Sequence, residues 1–175
     1  MRIRANGLNL IANVSLIAAS GALGTTIWYR LFHDRQAAAK GSSAFHPGER
    51  APQLPGVNYS SSERSLVVFL STTCPYCESS VPFYNKLESA SVASNHRWNL
   101  YAVFWQPADR VRAFKARVNL AADALSGVDF RNYGVHSTPT LLLVDRIGVI
   151  KRVWLGASLS NETEIVAALG RPAAN

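Results

Sequence analysis

From Leu8 to Tyr29 most of the chain is apolar, with Asn9, Asn13 and Ser15 weakening the pattern slightly. Leu8, Leu10, Ile11, Val14, Leu16, Ile17, Leu23 and Ile27 leave no polar face, and no charged side chain stands between Arg4 and Arg30. A bilayer core takes about 20 such residues as helix. Trp28 and Tyr29 stand where amphipathic rings prefer the membrane interface. The run therefore predicts one transmembrane helix over Leu8–Tyr29. The rival reading is a signal peptide, with Arg2 and Arg4 as its basic region and Ala18 to Ala22 as its small residues. The apolar run continues past those residues to an aromatic and basic stop, which favours an anchor. Arg2 and Arg4 on one side nearly balance Arg30, Arg35 and Lys40 on the other, so charge alone does not orient the helix.

The pattern then changes. Gln36 to Ser43 is small and polar, and Pro47, Gly48, Pro52, Pro55 and Gly56 punctuate the approach to a second region. The organisation expected is a short basic N-terminus (1–7), an anchor (8–29), a linker (30–47), one folded domain (48–170) and a tail (171–175). Within the domain, Val57–Tyr59 reads as a short strand. Leu66–Leu70 is a continuous run of strand-formers, which predicts burial on both faces. Ser71, Thr72 and Thr73 are capping-type residues ahead of a helix that starts near Pro75 and runs through Val81, Phe83, Tyr84 and Leu87, kinked at Pro82.

Trp98–Trp105 reads as a second buried strand, and Pro107–Val118 as an amphipathic helix with Val111, Phe114 and Val118 on one stripe. Arg110, Arg112, Lys115 and Arg117 lie mostly off that stripe and read as a solvated face. Phe130–Val135 is a connecting piece. Thr140–Val144 and Val149–Trp154 form a hairpin around Asp145–Gly148. Glu162–Leu169 is a last helix, with Ser160 or Asn161 as its N-cap. Strands separated by helices imply parallel pairs, and the final hairpin adds an antiparallel edge. The fold class is α/β, a mixed sheet flanked by helices.

The chain has 175 residues, 48% of them hydrophobic, with a formal net charge of +7. The basic residues are scattered and form no long run, which argues against a nucleic-acid partner. There are two cysteines, Cys74 and Cys77. A bridge between them closes so small a loop that it restrains the unfolded chain little, so reactivity or metal binding explains the pair better than fold stabilisation.

Cys74-Pro75-Tyr76-Cys77 falls between a buried strand and a helix start. Unpaired N–H groups there favour an anion, and cysteines in such settings have thiol pKa values lowered from about 8.5 to roughly 3.5–7.5. Thiolates, not thiols, attack disulfides. Cys74, nearer solvent, is the expected nucleophile, and Cys77, one turn on, the buried resolving thiol. Thr73, Pro75 and Tyr76 complete the active-site loop. A zinc half-site is the alternative, but structural zinc takes four ligands, and His33, His46, His96 and His136 have no paired spacing.

These features resemble the thioredoxin superfamily, and most of all its membrane-anchored, extracytoplasmic TlpA/ResA-like group. The resemblance spans about Gly48 to Leu169. It is carried by Gly48 and Ala51-Pro52 at the domain start and by the strand leading into Cys-x-x-Cys. Further on it is carried by Pro82, Tyr133-Gly134-Val135, Thr138-Pro139-Thr140, Asp145, Gly148 and Gly156. It implies a thioredoxin-like fold and a thiol–disulfide oxidoreductase whose redox centre is its own Cys74–Cys77 pair, with no further cofactor and no metal. It implies a cis Pro139 across from Cys74, with Thr138 pairing with the substrate chain. His136, on the same loop, is a possible tuning residue beside the reading of a plain surface histidine.

Implied partners are protein thiols and disulfides and an upstream thiol donor or acceptor. The implied location is the bacterial inner membrane, single-pass through Leu8–Tyr29, with the domain facing the periplasm or cell exterior. Reduction of envelope disulfides is the favoured direction.

Three departures stand out. Thr73 replaces the group's common tryptophan, and Ser80 stands where glutamate is frequent. Val67 and Val68 leave no buried carboxylate. Two other functions remain open. A peroxiredoxin-type peroxidase has a Pro-x-x-x-Thr-x-x-Cys pattern, but Val67 and Ser71 occupy its first and fifth positions here. The other is a non-enzymatic binding module or a zinc-bridged dimer.

Overall fold

The computed structural model describes residues 44–156 and 159–170. The predicted anchor over Leu8–Tyr29 and the tail 171–175 lie outside the described residues. Among those described, no helix is long and apolar enough to cross a membrane.

Strand β1, Arg64–Leu70, is the centre of the sheet, and Ser65 to Leu70 are all buried. Successive side chains of a strand point to opposite faces. Leu66, Val68 and Leu70 accordingly join one apolar cluster, while Val67 and Phe69 join another. Strand β2 (Trp98–Phe104) lies parallel to β1, and β3 (Asp123–Leu125) parallel to β2. On the other side of β1, β4 (Thr140–Asp145) runs antiparallel to it, and β5 (Ile150–Leu155) closes the edge antiparallel to β4. The order is β3-β2-β1-β4-β5.

Among the described residues the α-helices are α1 (Pro75–Ser79), α2 (Val81–Ala93), α3 (Ala108–Val118) and α4 (Leu159–Gly170). All four feed the cluster on the Leu66 face, through Cys77, Tyr84, Leu87, Val111, Phe114, Ile165 and Leu169 among others. The steps β1 to β2 and β2 to β3 go the same way along the sheet, so right-handed crossovers put their helices on one face. The other face is covered by the segment before β1 and by the 3-10 turn Phe130–Tyr133. There Phe69 lies between Phe45, stacked at 5.8 Å, and Phe130, edge-on at 5.3 Å.

Several expectations need correction. The helix from Pro75 to Leu87 is two helices, broken at Ser80 rather than kinked. Pro82 has no N–H to donate, and its ring crowds the carbonyl one turn back. Val57–Tyr59 is not a strand. Tyr59–Ser61 is a 3-10 turn capped by Asn58, whose Oδ1 accepts the Ser60 N–H at 3.0 Å, a local bond that competes with strand pairing. Strand β3 was not foreseen. Between β3 and β4 there is only a 3-10 turn, so β4 comes back antiparallel to the sheet centre. Helix α4 begins at Leu159, which puts Ser160 and Asn161 inside its first turn.

Candidate functional site

Beyond Leu70 the chain turns sharply out of the sheet. The Cys74 N–H donates to the Ser71 carbonyl at 3.2 Å. Ser71 Oγ lies 3.1 Å from Thr73 Oγ1 and accepts the Thr73 N–H at 3.3 Å. The cap of α1 is not one of these hydroxyls but Cys74 itself. Its backbone is extended (φ −92°, ψ 113°), and its Sγ accepts the Cys77 N–H at 3.2 Å. Pro75 follows in the first turn, where an N–H is unpaired in any case.

One helical turn separates two different environments. Cys74 is partly exposed, Cys77 is wholly buried, and both are free thiols. Burial pushes the Cys77 thiol up to about 12, and the neighbouring Cys74 sulfur pushes it the same way. The polar groups of the Ser71 backbone and the Thr138 side chain act against this.

The loop before β4 closes over the pair. The Thr138–Pro139 peptide is cis. The Cys74 thiol donates to the Thr138 carbonyl at 3.4 Å, and Pro139 is buried behind it. The structure thus brings Cys74, Cys77, Thr138 and Pro139 together. Thr73 on the loop and Pro75 at the start of α1 are exposed, and Tyr76 is 68% exposed beside the pair. His136 is exposed and lines a cleft of about 570 Å³ with Ser71, Trp105, Phe130 and Thr138. Among the described residues, no group of three or more His, Cys, Asp or Glu side chains is placed to hold a metal ion.

Sequence reasoning passed over Trp105 and Gln106. Trp105, read only as the end of a strand, is 53% exposed in the cleft wall. Gln106 is buried and donates through Nε2 to Ser71 Oγ at 2.7 Å. A signal existed. Leu70 pairs with Phe104 in the parallel register, so polar residues just beyond both strands become neighbours.

No protein-family model matches the chain. No curated protein matches it either. Solved structures do share its fold. One, assigned as the thiol:disulfide interchange protein DsbE of Chlorobium tepidum, superposes with a TM-score of 0.62 at 24% identity, over 73% of this chain and 100% of that one. The thioredoxin domain of a thiol-disulfide oxidoreductase from Bacteroides vulgatus gives 0.60 at 16% identity, over 73% of this chain and 100% of that one. StoA from Bacillus subtilis gives 0.52 at 15% identity, over 72% and 98%. What is shared is a thioredoxin-like α/β fold, a central mixed sheet with helices packed on it.

Proposed function

We propose that this chain is a thiol–disulfide oxidoreductase that exchanges disulfides with protein substrates through Cys74 and Cys77. The observation that carries this reading is the setting of Cys74. The residue is partly exposed, and its sulfur accepts the Cys77 N–H at 3.2 Å and faces the Thr138 carbonyl at 3.4 Å beside the cis peptide. A donor is thereby aimed at the sulfur on which negative charge develops when it attacks or leaves.

In the reducing direction the Cys74 thiolate attacks one sulfur of a substrate disulfide. A mixed disulfide forms, and the other substrate sulfur leaves as a thiolate. Cys77, after losing its proton, attacks Cys74 Sγ and expels the second substrate thiol. The substrate gains two electrons, and the Cys74–Cys77 pair becomes the disulfide. An upstream thiol donor restores the dithiol. The raised Cys77 thiol suits a resolving group, because it stays protonated and silent until the mixed disulfide has formed.

The direction is proposed as reduction, the substrates as envelope proteins, and the location as outside the cytoplasm, with Leu8–Tyr29 as the anchor. Thr138 is proposed as the backbone partner of the substrate, with His136 at the margin of the site. Cys74→Ser is expected to abolish turnover of a protein disulfide by the reduced protein, by at least about a hundredfold. Near-normal turnover in Cys74→Ser would falsify the reading.

A further inference from the structure

Just beyond β2 stands a buried amide for which the exchange reaction described above has no use. Gln106 is 5% exposed. Its Nε2 donates to Ser71 Oγ at 2.7 Å, while its Oε1 is buried without a hydrogen-bond partner. An amide buried with one end unpaired is destabilising, so packing alone favours an apolar residue here.

Its partner explains more. Ser71 is buried and holds Cys74 through its backbone. Its carbonyl accepts the Cys74 N–H at 3.2 Å, which seats the residue whose sulfur accepts the Cys77 N–H at 3.2 Å and faces the Thr138 carbonyl at 3.4 Å. Its side-chain oxygen is shared between Thr73 and Gln106. Gln106 in turn is fixed by its own backbone. Its carbonyl accepts the Gly127 N–H at 2.8 Å, and the next residue, Pro107, caps α3. The turn that presents the sulfurs is therefore clamped, through one side-chain bond, to a frame built from β2 and α3.

We propose that Gln106 is a positioning residue for the redox pair: by holding Ser71 Oγ it fixes the turn that seats Cys74 against the groups its sulfur meets in the reduced state, the Cys77 N–H and the Thr138 carbonyl, and so sets the balance between dithiol and disulfide. This rests on the exchange reading. A disulfide has no thiol or thiolate to use those groups fully, so the clamp acts mainly on the reduced form. Loss of the clamp weakens the reduced form and moves the equilibrium towards the disulfide.

The test is the equilibrium of the full-length protein with glutathione for the wild type, Gln106→Leu, Ser71→Ala, the double variant and Ser91→Ala. Ser91, in the last turns of α2, has a buried hydroxyl that donates to the Trp98 carbonyl at 2.5 Å and serves as the structural comparator. Gln106→Leu is expected to favour the disulfide by about tenfold, equivalent to about 30 mV. Ser71→Ala moves the same way, and the double variant moves no further than the larger single one, because both break one bond. Ser91→Ala lowers the urea midpoint and leaves the equilibrium where it was.

An equilibrium within about twofold of wild type in Gln106→Leu, or fully additive effects in the double variant, overturns the proposal. Should Gln106→Leu fail to fold, an unchanged equilibrium in Ser71→Ala overturns it equally. A wild-type protein that does not equilibrate with glutathione at all removes the exchange reading itself, a result distinct from the others.

Discussion

Cys74 sits part-exposed at a helix cap while Cys77, one turn later, is sealed among Val81, Tyr84 and their neighbours. That burial has a consequence for stability. In the unfolded chain Cys77 titrates near its ordinary value of 9.0, and in the folded dithiol it keeps its proton to about 12. A folded-state value above the unfolded one stabilises at low pH and loses that contribution as pH rises. The reduced protein should therefore lose about 1.4 kcal/mol per pH unit above pH ~9 from this group. Tyr59 and Tyr84, also raised by burial, add losses of the same sign at higher pH. Urea unfolding at several alkaline pH values checks this. Between pH ~9 and ~10 the reduced wild type should fall more steeply than reduced Cys77→Ala, and parallel curves would contradict it. The cysteine pair was legible because it stands in one contiguous motif, whereas the cis Pro139, whose preceding residue lies 64 positions beyond Cys74, was expected only from the resemblance. The link from Gln106 to Ser71 was not legible. It joins two strand ends 35 positions apart and exists only once the register of β1 and β2 is set.

The long elements were readable from their periodicity, and the short ones were governed by local bonds that periodicity does not carry. Strand β1 and helix α3 stand close to where their apolar patterns place them. Strand β3 is three residues long and owes its existence to pairing with β2. The 3-10 turn Phe130–Tyr133 ends at Gly134, whose φ of 66° is left-handed. A Cβ at Gly134 would clash with the Cβ of Ala44. Strain and clash together predict that Gly134→Ala costs on the order of 1–3 kcal/mol, read from the urea midpoint. A loss below about 0.5 kcal/mol would show that the turn tolerates a side chain. The break at Ser80 matters for the site as well, because it leaves α1 as a short separate piece carrying Cys77, with α2 packed on the sheet behind it.

Among the described residues the sheet presents its two faces to different coverings, with helices on one side and the segment before β1 plus a 3-10 turn on the other. Phe69 anchors the second face between Phe45 and Phe130. Phe69→Ala should cost about 3–5 kcal/mol in unfolding free energy and leave exchange per folded molecule nearly unchanged, since its ring points away from the cysteine side of the sheet. An equal loss of activity per folded molecule would mean that the two faces are coupled. The α/β class was readable from alternating runs, whereas the antiparallel insertion of β4 beside β1 was not, because no residue pattern specifies which neighbour a buried strand chooses. The proposed function rests on one arrangement, in which an outer sulfur attacks and an inner sulfur resolves. Mass spectrometry of the reduced single-cysteine variants, mixed with a disulfide-bonded protein substrate, addresses it directly. Cys77→Ser should accumulate a stable mixed disulfide through Cys74, while Cys74→Ser should form essentially none. Adducts on Cys77 in Cys74→Ser, at the level found for Cys77→Ser, would contradict the assignment.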